Sequence, residues 1–380
     1  MTSGRWASWG VWSGIAALAA AGCVGGVRMS DSTPTTEANA PSTVAPDVGI
    51  SLFGTGDAAT DVAFEGRAVV DVRQHTPAAE GTDFDPDVDP SGQQLVFAST
   101  RHSRHSRLYL KPIDGVVLTQ LTAEPADDIQ PAFAPCGKRI AFASNRAGQW
   151  DIWIIDADGR NPLQVTNTPE TELHPSWSPD GRRLVYCRLP GTDQPPELWI
   201  ADLEKPGTRR LIGEGLFPEW SPLGDKIVYQ RARERGGRWF SIWTLEIRED
   251  EVLFPTEVAS REDAALIAPT WSPDGTQIAF SAVIPAVQAQ QSGRTSGRAG
   301  IGIVDVDGRG FQRLTGVYGE GYSPCWSVDG RIYFTSRQRD SETIWSVRPY
   351  RPPLFVEPPA GPQDRRAAAA DLTGEAESKE

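Results

Sequence analysis

Trp177-Ser178-Pro179-Asp180-Gly181 and Trp271-Ser272-Pro273-Asp274-Gly275 are the same five residues met twice in one chain. Variants of the phrase stand at Phe133-Ala134-Pro135-Cys136-Gly137, Trp220-Ser221-Pro222-Leu223-Gly224, Trp326-Ser327-Val328-Asp329-Gly330 and, most worn, Val88-Asp89-Pro90-Ser91-Gly92. Their glycines lie at 92, 137, 181, 224, 275 and 330, so the steps are 45, 44, 43, 51 and 55 residues. Steps of that size exceed a helical repeat of the tetratricopeptide or ankyrin type and suit one four-stranded propeller blade.

Around each phrase the residues read as blade strands. The strand before each glycine alternates, with Phe84-Pro86-Val88 or Leu173-Pro175-Trp177 on one side and Asp85-Asp87-Asp89 or His174-Ser176-Ser178 on the other. Period two sends such sets to opposite faces of a strand. Proline lacks an N–H for the ladder and belongs on an edge strand, which the innermost strand of a blade is. The small and polar set is therefore expected to face the ring axis. A buried strand follows (Leu95-Val96-Phe97, Ile140-Ala141-Phe142, Leu184-Val185-Tyr186 and their equivalents). A third carries Tyr109, Trp153, Trp199, Trp243 or Trp345, with Gly302 in the fifth repeat. Asp-Gly pairs at 114–115, 158–159 and 307–308 turn the chain into a fourth strand.

The sixth repeat runs into Pro349, Pro352 and Pro353 without a fourth strand, while Ala68-Val69-Val70-Asp71-Val72 is a strand with no repeat ahead of it. Pairing these two removes an open edge. The expected fold is thus all-β: a six-bladed β-propeller of four-stranded blades, its ring closed by an N-terminal strand.

The Trp-Ser-Pro-Asp-Gly turn, the Ile-Ala-Phe strand and Asn145-Arg146…Asp151-Ile152-Trp153 resemble the repeats of TolB-type propellers over residues 66–348. That resemblance implies a cell-envelope role of the Tol–Pal kind and a partner that is an envelope protein or peptide. TolB proteins also carry an N-terminal α/β domain, and the residues ahead of the first blade are expected to be too few for one.

Residues 1–22 read as a signal peptide, with Arg5 as the one charge and an apolar stretch from Val11 to Ala21 too short to span a bilayer. Leu18-Ala19-Ala20-Ala21-Gly22-Cys23 is similar to a lipobox, so Cys23 is the expected lipidation site and membrane anchor. Val24 after it favours the outer membrane by resemblance to bacterial sorting. Residues 23–65 read as a flexible tether and 349–380 as a disordered tail rich in Pro, Ala and charge. Cys136, Cys187 and Cys325 leave an odd count and imply no disulfide framework. With 37 Lys and Arg against 50 Asp and Glu, the net charge of −13 argues against a nucleic-acid partner. The chain is expected to be monomeric.

No Gly-x-Ser-x-Gly elbow, P-loop or zincin helix occurs, and the expectation is a binding module, not an enzyme. The partner is expected at the channel mouth, on Asp85, Asp87, Gln130, His174, Phe217, Glu219, Ala268 and Ser323. The column Asp85, Asp87, Asp89 has two readings, a Ca²⁺ or other cation site or a worn repeat whose acids find arginines. No other cofactor is expected. His102 and His105, among arginines, read as a solvated loop. Loop arginines such as Arg101, Arg146 and Arg188, facing acids such as Asp83, Asp128 and Glu172, form either a docking face or local pairs within blades. The rival class is a carbohydrate-binding or metal-dependent polysaccharide-processing propeller, with Trp150 and Trp239 as stacking platforms.

Overall fold

The computed structural model describes residues 69–77, 81–191, 193–232, 240–248, 251–284, 298–315, 320–338 and 341–350. Cys23, the leader, the tether, Trp239, most of the loop at 285–298 and the tail after Tyr350 lie outside them. Six four-stranded antiparallel sheets follow one another along the chain. Blades 1 to 5 span 83–120, 128–164, 171–214, 216–259 and 265–313. Blade 6 takes three strands from 320–349 and its fourth from Val69–Gln74, which pairs antiparallel with Ser341–Pro349. The innermost strands of successive blades touch, and those of blades 6 and 1 touch as well, so the ring is closed.

Each turn phrase has a local cause. In blade 3 the Ser178 hydroxyl donates to Asp180 Oδ1 at 2.5 Å, and the Arg183 and Arg182 amides donate to Ser178 Oγ and Asp180 Oδ1 at 2.9 and 3.0 Å. Asp89, Asp274 and Asp329 receive turn amides in the same way.

The core lies between blades. Opposite each innermost strand stands a buried aromatic: Phe97, Phe142, Tyr186, Tyr229, Phe280 or Phe334. In five blades it pairs across to the third-strand aromatic. In blade 5 Phe280 faces Gly302 instead, and Phe311 fills the gap with its ring centroid 5.8 Å from that of Phe280. A Cβ on Gly302 would come within 3.0 Å of Phe280, so glycine here makes room for an aromatic that arrives from elsewhere.

A threonine just after the fourth strand recurs with the same task. Thr122, Thr166 and Thr315 accept the amides of Leu108, Ile152 and Ile301 at 3.1, 2.8 and 2.8 Å. Gly159 shows how tightly the hairpin ends dock on the neighbouring blade. It has φ of 85°, and an added Cβ would lie 2.6 Å from the Leu121 carbonyl oxygen. Gly159→Ala is expected to destabilise the fold by about 2 kcal/mol or more, from left-handed strain plus a backbone clash. A denaturant midpoint equal to that of the parent would contradict this.

Candidate functional site: the axial cavity

Every innermost strand carries a two-residue bulge. In blade 3, Leu173 pairs with Cys187 and Ser176 with Val185, so His174 and Pro175 together face Tyr186. The same two-against-one count occurs at Asp85-Pro86, Gln130-Pro131, Phe217-Pro218, Ala268-Pro269 and Ser323-Pro324. The first residue of each pair is left-handed, with φ between 47° and 57°. That is unusual for non-glycine residues and costs on the order of 1–3 kcal/mol each. Proline explains the placement in part: it disfavours a right-handed helical residue before it, and it sits where the bulge has removed a ladder bond.

The freed amide of the left-handed residue points to the preceding blade. Asp85 N–H donates to Thr335 Oγ1 at 3.1 Å, His174 N–H to Gln130 Oε1 at 2.9 Å and Ala268 N–H to Gln230 Oε1 at 2.8 Å. A second tier of bonds runs between blades two residues further on. Asp87 Oδ2 accepts the Phe133 amide at 2.6 Å, Ser176 Oγ the Trp220 amide at 3.0 Å, and Glu219 Oε1 the Trp271 amide at 2.9 Å. The ring is laced from inside by side chains that bond main chain on the next blade.

These strands enclose a cavity of about 290 Å³ on the axis. All eight residues expected at the mouth line it: Asp85, Asp87, Gln130, His174, Phe217, Glu219, Ala268 and Ser323. Two expectations need correction. Alternation places the repeat prolines on the side away from the axis, yet Pro86, Pro131, Pro175, Pro218, Pro269 and Pro324 all line the cavity, because the bulge interrupts the alternation. Nor do Asp85, Asp87 and Asp89 form a metal column, because the strand ends at Val88 and Asp89 belongs to the turn. Asp89 turns away to hold its own turn, accepting the Gln93 and Gln94 amides at 2.7 and 2.6 Å and the Ser91 hydroxyl. Among the described residues no group of three or more His, Cys, Asp or Glu gathers as a metal site.

Sequence reasoning left Ser176, Thr270 and Cys325 out of the site, although they occupy the Glu219 position in their own repeats. Cys325 Sγ–H donates to Asp87 Oδ1 at 3.0 Å, and burial together with that carboxylate pushes its pKa well up, so the thiol is unreactive.

The electrostatics of the cavity follow from burial. Desolvation pushes Asp87 up to about 6. It pushes Glu219 up to about 8, with the Asp87 charge adding to the shift. These two belong to blades 1 and 4, which are opposite in a ring of six. Burial takes His174 down to about 3. Its tautomer follows from Gln130, whose Oε1 accepts the His174 amide; Gln130 Nε2 must then donate to His174 Nε2 at 3.3 Å, leaving the proton on Nδ1. The His174 ring lies tilted against Phe217 with centroids 3.6 Å apart and planes at 34°. No Lys or Arg is among the lining residues.

The arginine loops show local pairing. Asp83 holds Arg101 at 2.5 Å and Asp128 holds Arg146 at 2.8 Å, while Arg188 reaches Glu197 at 2.9 Å and Arg337 reaches Glu342 at 2.5 Å. Arg146 also lies 5.1 Å from the Phe142 and Trp153 ring centroids. His105 meets Asp127 at 3.5 Å and His102 packs edge-on to Tyr109, so the pair forms no metal site. Trp150 is half-buried against the core and is not an open stacking platform.

Residues 149–283 match the TolB beta propeller domain family. This stretch is similar to TolB-type propeller repeats. A solved protein assigned as TolB from Agrobacterium tumefaciens is 18% identical, with 72% of this chain and 91% of that one aligned at a TM-score of 0.51. TolB from Acinetobacter baumannii is 16% identical at a TM-score of 0.51, covering 72% of this chain and 64% of that one, just under two thirds of its length. An oligogalacturonate lyase from Vibrio parahaemolyticus is 12% identical at 0.50, covering 73% and 93%. At such identities the likeness is one of fold, and one fold carries unrelated activities.

Proposed function

We propose that this propeller is a non-catalytic docking module of the bacterial cell envelope that takes a peptide segment of a partner protein into the mouth of its axial cavity. The carrying observation is the cavity itself, to which every blade contributes a left-handed residue, a proline and a following side chain. Phe217 and the prolines offer apolar contact, Gln130, Ser176 and Thr270 offer hydrogen bonds, and the acids favour a segment with a cationic group. Main-chain bonds between blades hold these groups in place before binding, which lowers the ordering penalty of association.

The TolB-type repeats support an envelope setting of the Tol–Pal kind. In this reading a lipid on Cys23 anchors the protein to the outer membrane, and the propeller faces the periplasm as a monomer. Capture from its own envelope, with the lipidated parent beside an Asp85→Asn plus Phe217→Ala variant, tests the docking role. The parent is expected to recover a defined protein, and the variant at least about 10-fold less of it, as for loss of a central contact. Equal recovery with both, or nothing above a control lipoprotein, would overturn the reading and turn attention to glycans.

A further inference from the structure

Two neighbouring seams of the ring share a plan and differ in charge. At the seam between blades 1 and 2, the Asp128 amide donates to the Ser106 carbonyl at 2.9 Å. The Asp128 side chain is buried and holds Arg146, and Arg107 follows Ser106 at the start of its strand. At the seam between blades 2 and 3, the Glu172 amide donates to the Trp150 carbonyl at 2.8 Å in the same way. Here Asp151 follows Trp150 where Arg107 follows Ser106. Pro190 stands four residues after Tyr186, where Arg146 stands four after Phe142. An acid paired with an arginine has become an acid beside a second acid.

Glu172 is 0% exposed, and neither carboxylate oxygen has a partner in hydrogen-bond geometry. The Thr166 and Thr168 hydroxyls lie close enough to draw its pKa down, but burial outweighs them and pushes it up, with the Asp151 charge adding to the rise. The Thr166 hydroxyl accepts the Ile152 amide through its oxygen and keeps its own hydrogen free to donate, and the Thr168 hydroxyl has no partner in hydrogen-bond geometry. Asp151 is 1% exposed and accepts Gln164 Nε2 at 3.0 Å and, weakly, the Thr168 amide at 3.4 Å. The cation whose charge reaches both acids is Arg209, which donates to the Val165 carbonyl at 3.5 Å. Two carboxylates against one guanidinium leave a buried negative charge that needs a counter-charge.

We propose that the seam between blades 2 and 3 binds a hard, oxygen-seeking cation of the Ca²⁺ or Na⁺ type, with Glu172 and Asp151 as charged ligands and the Thr166 and Thr168 hydroxyls beside them. Such ions bind carboxylate, carbonyl and water oxygens together, so the two acids need supply only the charged part of the shell. Thr168 and Gln164 are only partly buried and give the ion a way in. The site is separate from the axial cavity and does not depend on the docking role.

The test is a thermal melt of the full chain, stripped of metal, in CaCl₂, NaCl and KCl at matched ionic strength. It is run on the parent, on Glu172→Gln and on the cavity variant Asp87→Asn. Parent and Asp87→Asn are expected to gain several °C, saturably, in CaCl₂ or NaCl but not in KCl. A response to Ca²⁺ names the divalent ion, and a response to Na⁺ alone the monovalent one. Glu172→Gln is expected to show no gain, and without metal to melt at or above the parent, because it removes an unbalanced charge. Where Ca²⁺ is the ion, Tb³⁺ luminescence sensitised by Trp150 and Trp153 should vanish in Glu172→Gln. No saturable gain in the parent, a gain that survives Glu172→Gln, or one lost in Asp87→Asn would overturn the site. Metal-free Glu172→Gln melting well below the parent would do so too, by showing that the protein itself already satisfies the carboxylate.

Discussion

Deleting residues 69–76 is expected to abolish cooperative folding of the ring. This segment is a true fourth strand of blade 6, tied to the rest at three levels. Thr76 accepts the Ile344 amide at 2.9 Å, the bond that Thr122, Thr166 and Thr315 make in their own blades. Val69 and Val72 pack with Trp345 and Val347. The buried Arg331 guanidinium donates to the Asp71 carbonyl at 2.8 Å and to Ser346 Oγ at 2.9 Å, and pairs with the Asp71 carboxylate. Without the strand, Ser341–Pro349 becomes an open edge with a row of unpaired amides, which invites aggregation. The loss should be on the order of 5 kcal/mol or more, comparable to the whole stability of a typical domain. The milder Thr76→Val should cost about 1–2 kcal/mol by leaving one buried amide unmet. Denaturant unfolding followed by intrinsic tryptophan fluorescence decides: a single transition at the parental midpoint after the deletion would show that the ring does not need its clasp.

The second large effect is on the pH dependence of stability, and it comes from the cavity wall. Glu219 titrates at about 8 when folded and near 4.5 when unfolded. Between those values the folded state holds a proton that the unfolded state has released. Stability from this group is therefore complete below pH 4.5 and falls as pH rises through 8. Asp87, raised from 3.8 to about 6, acts with the same sign over a lower window. His174 acts oppositely, at about 3 folded against 6.5 unfolded. Its contribution is complete above pH 6.5 and falls as pH drops toward 3. From pH 4.5 to 6 the two acids outweigh the histidine. From 6 to 6.5 Glu219 and the histidine cancel, and above 6.5 Glu219 acts alone, so these groups lower stability in two windows of similar slope.

Glu219→Gln keeps an oxygen for the Trp271 amide and Thr270 but has no charge to bury. It should match the parent at pH 4 and be more stable by on the order of 2–4 kcal/mol at pH 8–9. His174→Gln should reduce the loss on the acid side. Denaturant midpoints from pH 4 to 9 for the three proteins check both. A Glu219→Gln midpoint parallel to the parent at every pH would mean that the carboxyl is solvated in the folded state.

Blade number, ring closure and the residues near the axis could all be read from the chain, because each is a local and repeated property. The turn phrase sets the period, the unmatched N-terminal strand supplies what blade 6 lacks, and alternation sends Asp87 and Glu219 inward. The bulge could not be read the same way. Alternation assumes an unbroken ladder, whereas one X-Pro pair in each of the six blades leaves it and brings the prolines to the cavity. Nor does a single repeat reveal that Phe311 takes the place vacated at Gly302, since the two residues meet only after the fourth strand folds back.

What the sequence by itself determined is the propeller, because repetition of turn, edge proline and buried strand is encoded within each repeat. The tertiary structure alone decided which acids are neutralised and which are not. Asp128 and Glu172 hold the same place in their repeats, and their difference comes from Asp151 on the blade preceding Glu172 and from Arg146, whose place Pro190 takes in the next repeat. Charge balance and desolvation depend on everything that surrounds a group, and that neighbourhood exists only once the blades have packed.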